Sequence, residues 1–548
     1  MIVNDLKEKN KKIQVNFPEP RTSYLKHMKT INIKFLLTLL LTLIYNIFFW
    51  EEELGINLLI FSVLLISALL YLNPYSWFHR NAKITILGTL ITGVGVVLFN
   101  SSTSKLAHVI FTVVMVGFIH QAMLKTLYYA FLQFFVDLYM IPSTMKSELR
   151  LSFSRNTRFN VTFGYLRLSV IPLLILAVFY WIYKMANPVF DQLSSDFWDQ
   201  LATSFSFFFE SFSFGRLMFI LIGFWLIAAG IYNQNIQRIL GLQVGKRDQL
   251  LRIKTRKEKE GPSLNLFPKS APSISMKLRS FLRSGVILLV MVNALLLIVN
   301  GIDINWVWFD FNPKSVQDLR QFVHEGTYLL ILSIVLSVLI LLYYFQGNIN
   351  FHSKNRFIKI LAYTWIFQNA ILALSVGIRN YHYIHSYGLA YKRIGVVIFL
   401  ILTLFGLITL FLKIKNTNSA FYLYKINTLS LYGMLVLMSL VNWDVFIASF
   451  NIKNYKSEVI DTHFLLTLSD KSLHVLMEHK ELFSKEETEV YRDGKYTTQQ
   501  ELLEKRARRF INDYEHRNWL SWNLAEAETY DQLKGMLPLI TQSQANSK

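Results

Sequence analysis

Apolar residues in this chain come in blocks of 18–21, separated by short polar connections. A helix of about 20 residues crosses roughly 30 Å of hydrocarbon. In that solvent every backbone polar group must find its partner within its own segment, so blocks of this length predict membrane-spanning helices. The alternation of a membrane β-barrel is absent. Eleven blocks qualify, at 31–50, 54–73, 83–100, 106–124, 164–184, 215–233, 284–301, 327–345, 358–378, 394–412 and 429–448. The expected fold is therefore all-α: a polytopic membrane protein of about eleven transmembrane helices with a small helical soluble C-terminal tail. After the fourth block, apolar character continues through "TLYYAFLQFFVDLYM" to Pro142. It reads as an interfacial helix or as the far half of a long tilted one.

Charge gives direction. The chain carries 56 Lys and Arg against 36 Asp and Glu, a net charge of +20. Residues 451–548 hold 14 basic against 16 acidic side chains, so the excess lies in residues 1–450. It sits in short connections between apolar blocks, where it orients helices and meets anionic lipid, and not in the stripe of a nucleic-acid binder. The N-terminus, "FHRNAK", "MKSELRLSFSRNTR", residues 234–283, "HSKNRFIK" and "KIKNTNSAFYLYK" are basic, and they are alternate connections. The opposite set is acidic or mixed, as at Glu51–Glu53 and at Asp303 and Asp310. This predicts a bacterial inner-membrane protein with its N-terminus inside and its C-terminus outside. The chain has no cysteine, which excludes disulfides, thiolate catalysis and Cys-ligated metal.

Five parts follow. Residues 1–30 are a basic cytoplasmic N-terminus, and 31–233 form a first membrane half of about six spans that begins with a retained signal anchor. Residues 234–283, with 12 basic and 3 acidic side chains, form a basic cytoplasmic linker. Residues 284–448 are a second half of about five spans, and 449–548 an extracytoplasmic helical tail. In the tail, Thr498 and Glu501 make a capping-box pattern ahead of the stripe Leu502, Leu503, Phe510, Ile511 and Tyr514. That stripe needs a surface to bury against. The segment 187–211 has the pattern of an amphipathic helix lying in the outer interface. No repeat relates the two halves.

The stretch "RNYHYIHSYGLAYKRIGV", 379–396, breaks the charge rule, since it falls in the outside set. Arg379, Lys392 and Arg393 suit an anion, and Arg grips phosphate through two parallel hydrogen bonds. Tyr381, His382, His385 and Tyr387 accompany them. His382 and His385 lack the third protein ligand that zinc needs, and the neighbouring cations oppose a metal. Gly388 would let the chain turn, so that 379–385 and Lys392–Arg393 face each other. Asp444, Asp303 and Asp310 are candidate counter-ions. Gln368 and Asn369 lie mid-span below this stretch and Asn442 beside Asp444. Polar groups at such depth serve function or bond neighbouring helices. Asn46, Asn293, His120 and Gln121 belong to the same class, and Gly88, Gly93 and Gly95 read as close-packing positions. "GLQVGKR", 241–247, has three residues between its glycines and Arg247 after its lysine, so it is not a phosphate loop. No motif calls for a cofactor or assigns a catalytic residue.

"FGYLRLSVIP", "ANPVFDQL", "NGIDINWVWF", "FVHEGTYLLILSIVLS", the 379–396 stretch and "NWDVFIASFNI" with "IDTHFLLTLSDKSLHVL" resemble a bacterial family of multi-span inner-membrane proteins catalogued as a domain of unknown function. The resemblance runs from about residue 80 to about residue 480. It is carried by Tyr387, Gly388, Leu389 and Arg393 and by Asn442 and Asp444, with Trp443 where family members often have Pro. It implies an intact multi-span unit with an outside tail, and no activity.

Three readings of function remain. The favoured one is a non-enzymatic envelope protein that binds an anionic lipid head group or passes a small solute. The second is an envelope enzyme acting on a lipid-linked phosphate. The third is a sensor or scaffold acting through its linker and tail, with an envelope protein as partner of residues 449–548.

Overall fold

The computed structural model describes residues 21–148, 172–173, 175–176, 179–181, 183–204, 213–233, 246–250, 274–309, 319–345, 347–352, 355–455, 460–484, 487–489 and 496–545. The chain forms two compact units. One comprises Met1–Glu51, Leu64–Pro74 and Phe134–Asn235; the other comprises Glu52–Val63, Tyr75–Gln133 and Ile236–Lys548.

The helices are α1 (Arg21–Phe49), α2 (Ile56–Leu72), α3 (Arg80–Phe99), α4 (Ser102–His120), α5 (Leu127–Glu148), α6 (Pro188–Ser204) and α7 (Phe214–Ile231). Then come α8 (Ile274–Asp303), prolonged by a π-helical turn at Ile304–Phe309, α9 (Leu319–Tyr344), α10 (Arg356–Tyr387), α11 (Tyr391–Lys415), α12 (Ala420–Ser439) and α13 (Trp443–Asn454). Six are long and apolar enough to cross a membrane: α3, α4, α7, Arg279–Phe309, α10 and α11. The pair α12 and α13 makes a seventh if it counts as one span. The apolar stretches Ile33–Phe49, Ile56–Leu72 and Tyr328–Tyr344 are shorter. The described residues thus hold six or seven clear candidates where eleven spans were expected. The expected span at 164–184, the linker 234–283 and Asp310 lie wholly or largely outside the described residues.

Two boundaries differ from the sequence reading. The expected connection 379–393 is mostly helix, because α10 runs on to Tyr387 and leaves Gly388–Ala390 as the turn. The expected last span, 429–448, is two helices bent by 68°. The break follows from Asn442, whose side chain accepts the Val445 N–H and starts α13 as a separate helix. Asp444 therefore opens α13 instead of closing a span.

In the first unit, Tyr45 of α1 stacks on Phe219 of α7 at 4.5 Å. In the second, α3 and α4 pack together. Lipid gives apolar helices no hydrophobic drive to associate, so small residues and hydrogen bonds set these contacts. A Cβ at Gly88 would sit 2.4 Å from the Phe111 ring, and one at Gly95 would sit 2.6 Å from the Ser439 carbonyl oxygen. The close-packing role expected of Gly88 and Gly95 is thereby visible. Helices α8, α9, α10 and α11 share a core that includes Leu289, Ile334, Leu341, Val376 and Leu410.

Residues 460–545 add α14 (Thr462–Leu466), α15 (Leu473–Glu478), the two-stranded ribbon β1 (Glu487–Glu489) and β2 (Tyr496–Thr498), α16 (Gln499–Glu515) and α17 (Leu524–Ala545). Thr498 and Glu501 form the capping box. Leu503, Phe510 and Ile511 are buried against Leu465, Leu476 and Leu533, in one core with Ile447 of α13 and Leu389 and Ile394 of the 388–394 region. Each such side chain contributes about 1.5–3 kcal/mol when taken out of water. Polar contacts complete the seam. The buried Lys471 ammonium donates to the Asn100 carbonyl at 2.7 Å. Arg517 pairs with Glu53 at 3.1 Å and also with Glu526. The Ile56 N–H donates to the Trp522 carbonyl at 3.0 Å. Burial holds His474 below its ordinary pKa, and its Nδ1 lies 3.0 Å from the Thr529 hydroxyl.

Segments 52–56, 100, 388–394 and 442–455 thus meet the tail at one end of the second unit. At the other end, Lys246 meets Tyr129 and Asp248 meets Lys425.

Candidate functional site

The α8–α10 seam is a polar ladder with a seven-residue step. Asn293 donates to the Leu361 carbonyl at 3.1 Å and Asn300 to the Gln368 carbonyl at 3.0 Å. Trp308 donates to the Ser375 hydroxyl at 2.8 Å, and His382 to the Val307 carbonyl at 3.2 Å. Arg379, 8% exposed, pairs with Asp303, 5% exposed, at 2.5 Å. The step of seven keeps one stripe of each helix on its partner. Asn369 turns back on its own helix, donating to the Trp365 carbonyl at 2.7 Å. Asn293 and Asn300 therefore serve helix association, each bond of this kind being worth about 0.6–2 kcal/mol.

The turn after α10 is built on Gly388. Its φ of +78° suits glycine, and its N–H closes the helix on the Ile384 carbonyl at 2.8 Å. Asn451 of α13 holds the next residue from both sides: the Leu389 N–H donates to Oδ1 at 2.6 Å, and Nδ2 donates to the Leu389 carbonyl at 2.9 Å. A Cβ on Gly388 would stand 2.7 Å from that Oδ1. Asn380 donates to the Arg393 carbonyl at 3.1 Å and ties the two arms of the turn together.

Arg393 folds over this turn. Its guanidinium lies 4.3 Å from the Tyr383 ring centroid and 5.9 Å from that of Tyr387, and it donates to the Tyr387 and Gly388 carbonyls. Arg393 and Arg379 thus answer to different partners, although Asn380 and Tyr383 of the 379–385 arm both meet Arg393. Lys392, Tyr381 and His385 are exposed, with Tyr381 and His385 stacked at 6.3 Å. Asp444 takes the Tyr391 hydroxyl and, at 3.2 Å, the Ser469 N–H. The expected arginine partner of Asp444 is therefore replaced by a phenol and a backbone amide.

Arg393 lines a cavity of about 120 Å³ together with Tyr387, Tyr455, Asp461 and Phe464. Asp461 caps α14 by accepting the Phe464 N–H at 2.9 Å, which leaves its second oxygen available. Among the described residues neither Arg393 nor Asp461 has an ion-pair partner. One cation and one anion thus border a small cavity without neutralising each other. The sequence reading placed Tyr387 and Arg393 here and missed Asp461 and Tyr455. The cap pattern of "IDTHF" marks Asp461 as a helix start, and nothing local marks it as bordering the same cavity as Arg393.

Residues 59–479 match a family described as a domain of unknown function, DUF4153. No curated protein and no solved structure matches the chain. The family match spans the α3–α4 pair, the polar ladder, the Gly388 turn and the start of the tail, and with most of the chain covered the protein belongs to the DUF4153 family.

Proposed function

We propose that this is a multi-pass protein of a bacterial inner membrane, with its N-terminus inside and residues 449–548 outside, that binds the head group of an amphiphile at the Gly388 turn. The observation that carries the reading is the unneutralised pair Arg393 and Asp461 on one cavity. A phosphate or carboxylate suits the guanidinium. An ammonium suits Asp461, on a lining that also carries Tyr387, Tyr455 and Phe464. The favoured ligand is therefore a small head group carrying both charges. The family match and the apolar helices support the membrane setting, and the alternation of basic connections supports the orientation.

Native mass spectrometry of the full-length protein with phosphatidylethanolamine and phosphatidylglycerol tests the site. The wild type should prefer phosphatidylethanolamine. Asp461→Asn keeps the helix cap and should erase that preference, while Arg393→Gln should weaken both lipids about tenfold, the scale of one charge-assisted hydrogen bond. Unchanged binding in both variants would sink the assignment. Alkaline phosphatase fused after Lys548 should be active in cells; an inactive fusion with an active cytoplasmic reporter there reverses the orientation.

A further inference from the structure

A cavity of about 860 Å³ in the second unit lies at the end opposite the Gly388 turn. It is bordered by Lys246 and Arg247, by the aromatic side chains of Tyr128, Phe421 and Tyr424, and by Leu250. The cations are held in place by backbone pairing. The Leu250 N–H donates to the Thr417 carbonyl at 3.0 Å and the Ser419 N–H to the Asp248 carbonyl at 2.8 Å. The Ser419 hydroxyl donates to the Arg247 carbonyl at 2.6 Å and accepts the Tyr422 N–H that starts α12. Lys246 donates to the Tyr129 hydroxyl at 2.9 Å, which leaves two of its three N–H groups. The Asp248 carboxylate, next in the chain, is taken by Lys425 at 2.9 Å. Among the described residues Lys246 and Arg247 have no ion-pair partner. The first turns of α5 and α12, whose positive ends favour anions, border the same space.

The chemistry of this lining is double: two cations, and aromatic and aliphatic surface. A free phosphate would use the first and leave the second bare in a cavity far larger than itself. We propose that this is a second binding site, taking an anionic membrane lipid. Its phosphate lies against Lys246 and Arg247, and its apolar chain runs along Tyr128, Phe421 and Tyr424. The charge pattern assigns this end to the inner leaflet. The site is separate from the Gly388 turn, so its binding is read in the full-length Arg393→Gln protein, where phosphatidylglycerol at the turn is already weakened.

The test is lipid binding to the full-length protein in detergent, with phosphatidylglycerol, phosphatidylcholine and glycerol 3-phosphate as probes. Phosphatidylglycerol should bind in preference to the other two. At about one cation's worth of attraction per side chain, Lys246→Gln with Arg247→Gln should weaken it about 30-fold. Ala420→Trp fills the cavity without changing charge and should weaken it as well. Lys415→Gln, which removes an exposed cation outside the cavity, should not. The proposal falls if phosphatidylglycerol binding survives both cavity variants, or if Lys415→Gln weakens it as much as they do. It also falls if glycerol 3-phosphate binds as tightly as the lipid, which would make this a soluble-metabolite site.

Discussion

Asp303→Ala should cost the protein about 3–5 kcal/mol, because it leaves the Arg379 guanidinium buried without its carboxylate. The pair lies at 2.5 Å between α8 and α10, with both side chains almost fully enclosed. Its own net contribution is small, since removing two charges from water costs nearly what their attraction returns. The damage comes from breaking one half. Asp303→Leu combined with Arg379→Met should therefore recover much of the stability that either single change loses. Thermal unfolding of the detergent-solubilised protein reads both. A single variant as stable as the wild type would show that the pair is solvated, and a double variant no better than the worse single would show that its geometry, not its charge, joins the helices.

Gly117→Val should be comparably severe. A Cβ at Gly117 would stand 1.9 Å from the carbonyl oxygen of Ala130, where α4 and α5 cross. The obstacle is backbone, so no rotamer change relieves it and the helices must part. Overpacking usually costs 1–3 kcal/mol and more where nothing can yield. The expected result is loss of most of the folded protein from the membrane, read as monodisperse material after extraction. Gly301→Val, at a helical position with nothing within 4 Å of its Cβ, is the control and should be tolerated. Equal yields from the two variants would refute the packing argument.

The helices were legible because a bilayer forces long apolar runs into one form. Their ends were less so, for a reason visible at 379–387. Arginine, histidine and tyrosine in a row look like a solvated loop, but Arg379 finds Asp303 and His382 finds the Val307 carbonyl, so the helix continues. The partners come from a segment some 75 positions away in the chain. The break before α13 was hidden for the opposite reason: "SLVNWDVF" is apolar on both sides, with no Pro or Gly to mark a bend. The special role of Gly388 could be read locally, because a turn between two helices needs a residue that tolerates positive φ. The candidate site was legible in part. Arg393 and Tyr387 lie in the stretch that drew attention, whereas Asp461 and Tyr455 reach the same cavity through the fold of the tail. Lys246 and Arg247 sat in a failed phosphate-loop pattern, and their importance comes from pairing with 417–419, which no local spacing announces.

The bonds between Glu52 and the 518–521 turn join positions 466 and 469 residues apart. A ribosome delivers the second partner long after the first. The Glu52–Gly55 loop must wait for more than 460 further residues before those neighbours exist. Closing such a distance in a free coil would be slow. Here the helices between are tethered in a bilayer as they are made, so the late step is a docking of preformed pieces. During that interval Leu389, Ile394 and Ile447, which the finished tail covers, stand open to whatever is nearby. Docking of the tail is therefore a late step in maturation, and vulnerability to degradation or misassembly at these side chains is concentrated before it.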